Sequence, residues 1–175
     1  INNSVILMGT GNDGIFTHDI TNSYINLDSG DDSFSLIGDL NYSQTYLGDG
    51  NDVFHINFVS HAETGKVEKS YINSGGGDDD LRIDSDVITS EIDLGEGTDL
   101  IRFYANIVDS KILLGNDDSK SSSVIATSFK QYNGDLIDSI IDGRLKHSSV
   151  HIGESAINSK ILFGGSKRSG DFMSI

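Results

Sequence analysis

The chain has no cysteine, proline or tryptophan, and only 12 of its 175 residues are lysine or arginine, against 27 aspartates and glutamates. Without cysteine there is neither a disulfide framework nor a thiolate metal site, so any metal must be held by oxygen, or weakly by histidine. The formal charge of −15 repels nucleic acid and anionic lipid and draws cations. No apolar run approaches the roughly 18–20 residues of a membrane-crossing helix, so membrane insertion is not expected. No basic-then-apolar stretch reads as a signal peptide, and the chain starts at Ile1 rather than Met, as a fragment or processed product does. A 3.6-residue apolar period is also missing, which removes helices as the main element. The 36% of hydrophobic residues instead alternate strictly and include many β-branched side chains, which argues against the disorder that so acidic a composition otherwise invites.

One unit, Ser-x-Ile-x-Leu-Gly-x-Gly-x-Asp-x-Phe-x-Ile, recurs along the whole sequence. Its anchors are Ser4, Ser23, Ser43, Ser70, Ser90, Ser110, Ser139 and Ser159, with spacings of 19, 20, 27, 20, 20, 29 and 20. The two long gaps read as coils with surface insertions, one within 59–66 and one spread over 119–135. After each anchor the second and fourth residues are usually apolar, as in Ile25 and Leu27 or Ile92 and Leu94. A glycine-rich turn follows, and then the eleventh and thirteenth positions are apolar, as in Phe34 and Leu36 or Phe54 and Ile56. A further apolar position comes three residues before the next Ser, at Ile20, Leu40, Val67, Val87, Ile107 and Leu136. A period of 2 inside a period of about 20 means short strands joined by turns, each coil stacked on the last. The expected fold is therefore all-β: a right-handed, single-stranded parallel β-helix (solenoid) of about eight ~20-residue coils, one domain over 1–175. Ser shares parity with the inward apolar positions, so it belongs inside, as a hydroxyl ladder near a corner. A β-sandwich of many short strands would not require side-chain identity at fixed steps.

Five turns align by position. The first column is Gly9, Asp28, Gly48, Gly75 and Gly95, and the second is Thr10, Ser29, Asp49, Gly76 and Glu96. The third is Gly11, Gly30, Gly50, Gly77 and Gly97, and the fourth is Asn12, Asp31, Asn51, Asp78 and Thr98. The last is aspartate throughout: Asp13, Asp32, Asp52, Asp79 and Asp99. These turns resemble the calcium-binding repeat of the RTX (repeats-in-toxin) proteins, Gly-Gly-x-Gly-x-Asp-x-apolar-x. The resemblance covers the turns within 8–103. It departs in one respect: the family's standard repeat is nine residues, with turns on both edges, whereas here one turn per ~20-residue coil implies ions along a single edge, similar to long-period variants in some bacterial surface adhesins. The resemblance implies Ca²⁺ as the cofactor, held by those five columns of residues.

Elementary physics points the same way. Glycine permits positive φ and lets a turn curl its carbonyls toward one point. Ca²⁺ takes six to eight oxygens at ~2.3–2.6 Å, and an ion midway between rungs ~4.8 Å apart lies ~2.4 Å from each along the axis. Five stacked turns leave four gaps, hence up to four full sites. Without metal, carboxylates ~4.8 Å apart repel by about 1 kcal/mol in water and about 3–4 kcal/mol at an effective dielectric of 20, so folding and metal binding should be coupled. The turns also have an ordinary reading, since Gly-Asn-Asp clusters are good turn formers in any protein; five of them in register favour the ion.

The later coils depart from the pattern. The turn at 114–119 shifts its acids, and the next two contain Arg144, Lys146 and His147, then Lys167 and Arg168. Residues 1–107 are therefore expected to be calcium-binding coils and 108–175 degenerate coils without calcium. No catalytic residue is expected. His55, Arg82, Arg102 and His151 share an outward column that can be read as a strip for an acidic glycan or simply as a solvated sheet face, and no motif matches a lyase. Tyr24, Tyr46 and Tyr71 face outward and suit sugar or protein contact. The overall expectation is a calcium-binding structural or adhesive module of a secreted or cell-surface bacterial protein that folds on Ca²⁺ binding, as the resemblance implies for chains exported by type I secretion. A cell-surface glycan or protein, or end-to-end self-association, are the candidate partners. The alternative is a polysaccharide-binding or polysaccharide-degrading β-helix.

Overall fold

A computed structural model describes residues 1–57, 65–115, 123–126, 135–143, 149–152, 155–163 and 172–174. Among them there is no helix, and so none long and apolar enough to cross a membrane. Three sheets of parallel strands stack along one axis as a parallel β-helix. The first sheet follows the anchor serines and has eight strands: Val5–Leu7, Tyr24–Asn26, Gln44–Asp49, Tyr71–Gly76, Glu91–Asp93, Lys111–Leu113, Ile140–Gly143 and Lys160–Phe163. The second follows the glycine turns, also with eight: Gly14–Thr17, Ser33–Leu36, Val53–Ile56, Asp80–Ile83, Leu100–Phe103, Ser123–Ala126, Ser149–Ile152 and Phe172–Ser174. Seven short strands, from Ile20–Thr21 to Ala156–Ile157, make the third. The insertions expected within 59–66 and 119–135 fall largely outside the described residues. Strands on either side of them stay in register, Leu40 with Val67 and Lys111 with Ile140.

The alternation in sequence becomes an inside and an outside. Ile25, Leu27, Phe34, Leu36, Leu81, Ile83, Ile101 and Phe103 are buried, as are Ile20, Leu40, Val67, Val87, Ile107 and Leu136 from the third sheet. Identical positions stack, so Phe34 lies against Phe54 with ring centroids 5.0 Å apart. The first coil has a neighbour on one side only. Its inward Met8 is 38% exposed, and Ile6 and Ile15 are only partly buried.

The hydroxyl ladder expected at the anchors is present. The N–H of each anchor Ser from Ser4 to Ser139 donates to the Oγ of the next anchor, at 3.0–3.2 Å. Each hydroxyl from Ser23 onward donates in turn to the carbonyl two residues before it, at 2.7–3.0 Å. The residue before each of the eight anchors is left-handed, with φ of 47–52°. Such a corner costs a non-glycine residue on the order of 1 kcal/mol, least for Asn and Asp. A second corner uses side chains in the same stacked manner, with Asp39 N–H donating to Asp19 Oδ1 at 2.9 Å and Lys66 N–H to Asp39 Oδ1 at 2.9 Å.

Candidate functional site

The glycine turns join the first sheet to the second, and their stacking explains their composition. At Gly50 φ is 143°, and an added Cβ would fall on the carbonyl oxygen of Gly30 in the coil below. Gly30, Gly77 and Gly97 sit in the same way over the carbonyls of Gly11, Gly50 and Gly77. Turns can nest this closely only where the side chain is absent. In the first column Asp28 takes the place of glycine at φ 79°, with Gly48 packed directly on its carbonyl. Thr10, Ser29, Asp49, Gly76 and Glu96 bridge from coil to coil in one register.

Two side-chain ladders run along this edge, in opposite directions. In the outer one, the N–H groups of Asp31, Asn51, Asp78 and Thr98 donate back to Oδ1 of Asn12, Asp31, Asn51 and Asp78, at 2.8–3.1 Å. In the inner one, the N–H groups of Asp13, Asp32, Asp52 and Asp79 donate forward to Oδ1 of Asp32, Asp52, Asp79 and Asp99, at 2.7–3.1 Å. The sequence brought the five aspartates together but did not reveal this bond. Its only signal was that Asp13, Asp32, Asp52, Asp79 and Asp99 share parity with the inward apolar positions.

Asp32, Asp52, Asp79 and Asp99 are at most 2% exposed. One oxygen of each of the first four aspartates has no partner: Oδ2 of Asp13, Asp32, Asp52 and Asp79 is buried and unsatisfied. Burial raises the Asp32 carboxyl above its ordinary range, and it pushes Asp52 up to about 6 and Asp79 up to about 7. Neighbouring carboxylates add to the rise, while the N–H bond from the preceding coil, and at Asp79 also the Ser74 hydroxyl, offset part of it. An asparagine would serve the ladder equally well, since one acceptor oxygen is all it uses. A buried carboxylate with an unpartnered oxygen is complete only with a proton or a cation.

The donor set fits a hard cation. No backbone N–H among the described residues donates to the carbonyls of Gly11, Gly30, Gly50 or Gly77, whose oxygens lie on this edge against the glycine of the next coil. Asp28, Asp31, Asp49, Asp78 and Glu96 are exposed around it. Among the described residues, no group of three or more histidine, aspartate or glutamate side chains is placed to hold a metal. Each rung supplies one buried carboxylate, so the remaining ligands would have to be backbone carbonyls or water.

The outward faces differ from expectation in one respect. His55, Arg82 and Arg102 do share a column, and His151 shares their register, but Ile125 stands between Arg102 and His151. The column is also neutralised locally. Arg82 makes two bonds to Asp84, at 2.8 and 2.7 Å, and lies over the Tyr104 ring, 4.6 Å from its centroid. Arg102 pairs with Asp80. The arginines are thus held by carboxylates of their own sheet rather than presented to an acidic chain. Tyr24, Tyr46 and Tyr71 form a zigzag with centroids 5.3 and 5.6 Å apart. Arg144, Lys146, His147, Lys167, Arg168 and His61 lie outside the described residues.

Fold and edge together define the class: a parallel β-solenoid whose stacked glycine–aspartate turns occupy one side only. No protein-family model, curated protein or solved structure matches the chain.

Proposed function

We propose that the chain is a calcium-binding structural or adhesive module of a secreted or cell-surface protein, an RTX-like solenoid of long period that folds on its ions. The observation that carries this reading is the row of buried, unpartnered Oδ2 atoms on Asp13, Asp32, Asp52 and Asp79. An oxygen-only, glycine-lined edge on a chain of charge −15 suits a hard cation, and Ca²⁺ accepts irregular sets of carboxylate and carbonyl oxygens more readily than Mg²⁺ does. Asp32, Asp52 and Asp79, with the carbonyls of Gly11, Gly30, Gly50 and Gly77, would hold it. The ion would supply charge neutralisation, turning a stack of desolvated carboxylates from a destabilising feature into a cross-link between coils. Sites of this kind fill where calcium is millimolar, so the reading has the protein working outside the cell. The chain's own contribution is a rigid rod on which surface residues are displayed at a fixed rise.

Circular dichroism and thermal melting in EDTA and then in millimolar Ca²⁺ test the reading. Each ion at about a hundred times its Kd adds about 2.7 kcal/mol. Two such ions should raise the melting temperature on the order of 10–20 °C in a chain this long. Identical spectra and identical melting with and without calcium would refute it.

A further inference from the structure

The corner before the anchor serines has one backbone conformation but two chemistries. Asn3, Asn22, Asp109, Asp138 and Asn158 are the residue types that tolerate a left-handed φ. Tyr42, Lys69 and Thr89, on three successive coils, hold the same conformation at φ 52°, 48° and 51° without that tolerance. Thr is β-branched and Tyr bulky, so both are strained there. Strain kept at consecutive positions in a repeat that solves the problem elsewhere with Asn or Asp points to selection for what the side chains do.

What they do is line a groove. A depression of about 590 Å³ runs along the solenoid axis from Tyr42 to Ile140. Tyr42, Lys69 and Thr89 stand on one wall, and Gln44, Tyr71, Glu91 and Lys111 on the other. Its floor is the backbone at Ser43, Ser70, Ser90 and Ser110, fixed by the hydroxyl ladder. We propose that this groove binds an extended, uncharged glycan, one sugar per coil.

Three features select that ligand. The groove repeats at the coil spacing of ~4.8 Å, close to the advance of one sugar in an extended β-linked chain. An extended peptide, at ~3.3 Å per residue, falls out of step, and with the strands running across the groove no sheet edge is open to it there. The charges nearly balance: Lys69 and Lys111 face three lining carboxylates, those of Glu91, Asp109 and Asp138. Lys111 already pairs with Glu91 at 3.1 Å, and Lys69 lies 3.5 Å from Glu68. On a surface of net charge −15 this is no cradle for a polyanion. Finally, Tyr42, which is 52% exposed and has the Lys69 ammonium over one side of its ring, 5.0 Å from the centroid, and Tyr71 offer aromatic surface against which sugar rings pack, while Gln44, Thr89 and the paired charges offer hydrogen bonds beside them. The proposal rests on the fold and not on the ion row, so an outcome against calcium leaves it standing.

Calorimetric titration of the folded chain, in millimolar Ca²⁺, with linear β-1,4-linked glucose and N-acetylglucosamine oligomers from dimer to hexamer tests it. At least one series should bind, with affinity rising up to about five units, one for each coil from Tyr42 to Ile140, which span four coil steps or ~19 Å. The triple variant Tyr42→Asn, Lys69→Asn, Thr89→Asn restores the tolerant residues, so it should melt at the same temperature or higher yet bind at least about tenfold more weakly. Tyr71→Ala should weaken binding in the same direction. The proposal is overturned if neither series binds, if the triple variant binds as wild type does, or if polygalacturonate or an extended peptide binds more tightly than the neutral oligomers.

Discussion

Two edges of this solenoid face the same problem, a column of polar side chains stacked through the interior, and they resolve it differently. At the serine corner every hydroxyl from Ser23 onward accepts from one coil and donates within its own, so the ladder closes on itself. At the aspartate edge Asp32, Asp52 and Asp79 each accept one ladder bond and keep a second oxygen buried without a hydrogen-bond partner. The serine column is self-sufficient. The aspartate column is complete only when something from solvent joins it, which makes one edge scaffold and the other a receiver.

The largest way to separate the two edges is pH. Asp52 and Asp79, raised by burial to about 6 and about 7 from 3.8, hold protons more tightly folded than unfolded. In metal-free protein their destabilising effect is therefore absent below about pH 3, grows as pH rises, and is complete only above about pH 8. Tenfold tighter proton binding in the folded state is worth about 1.4 kcal/mol, so each carboxyl destabilises the ionised fold by something on the order of 3 kcal/mol. Chemical denaturation in EDTA should show stability falling from pH 5 to pH 8, and saturating Ca²⁺ should flatten or reverse that slope. A slope unchanged by calcium would mean that the buried carboxylates do not meet the ion.

Asp52→Asn gives a smaller effect with a more telling sign. It keeps the ladder oxygen and removes the charge, so in EDTA at pH 8 it should stabilise the fold by about 1–3 kcal/mol. In millimolar Ca²⁺ it should destabilise, having removed a ligand. The same sign in both buffers would break the distinction between the edges. Ser90→Ala is the smallest. It orphans the Ser70 N–H and should lose about 1 kcal/mol, equally in EDTA and in calcium and equally at pH 5 and 8, as urea titrations can establish.

Much of this architecture was legible in the order of the residues, because a solenoid writes its pitch into the chain. The anchor serines, the inward apolar positions and the five aligned turns all sit where the spacing put them. What escaped was set by the backbone rather than by residue identity. The bond from Asp32 N–H to Asp52 Oδ1 depends on which amides the turn leaves without partners, and the sequence is silent on that. The left-handed corner did leave a trace, in Asn3, Asn22, Asp109, Asp138 and Asn158 before their serines, but Tyr42, Lys69 and Thr89 interrupt it. The strip through His55, Arg82 and Arg102 was visible as a column, and Asp84 was visible two residues beyond Arg82. Their mutual neutralisation needed side-chain geometry.

The serine and inner aspartate ladders also have a direction. In both, the amide belongs to the earlier coil and the acceptor to the later one. A coil already in place therefore presents two open amides to the stretch of chain that follows it, and the serine and aspartate some 20 residues on are the groups shaped to close them. Each turn of the spiral acts as the mould for its successor. Assembly then resembles the growth of a crystal from a seeded face, with the newest layer always the incomplete one.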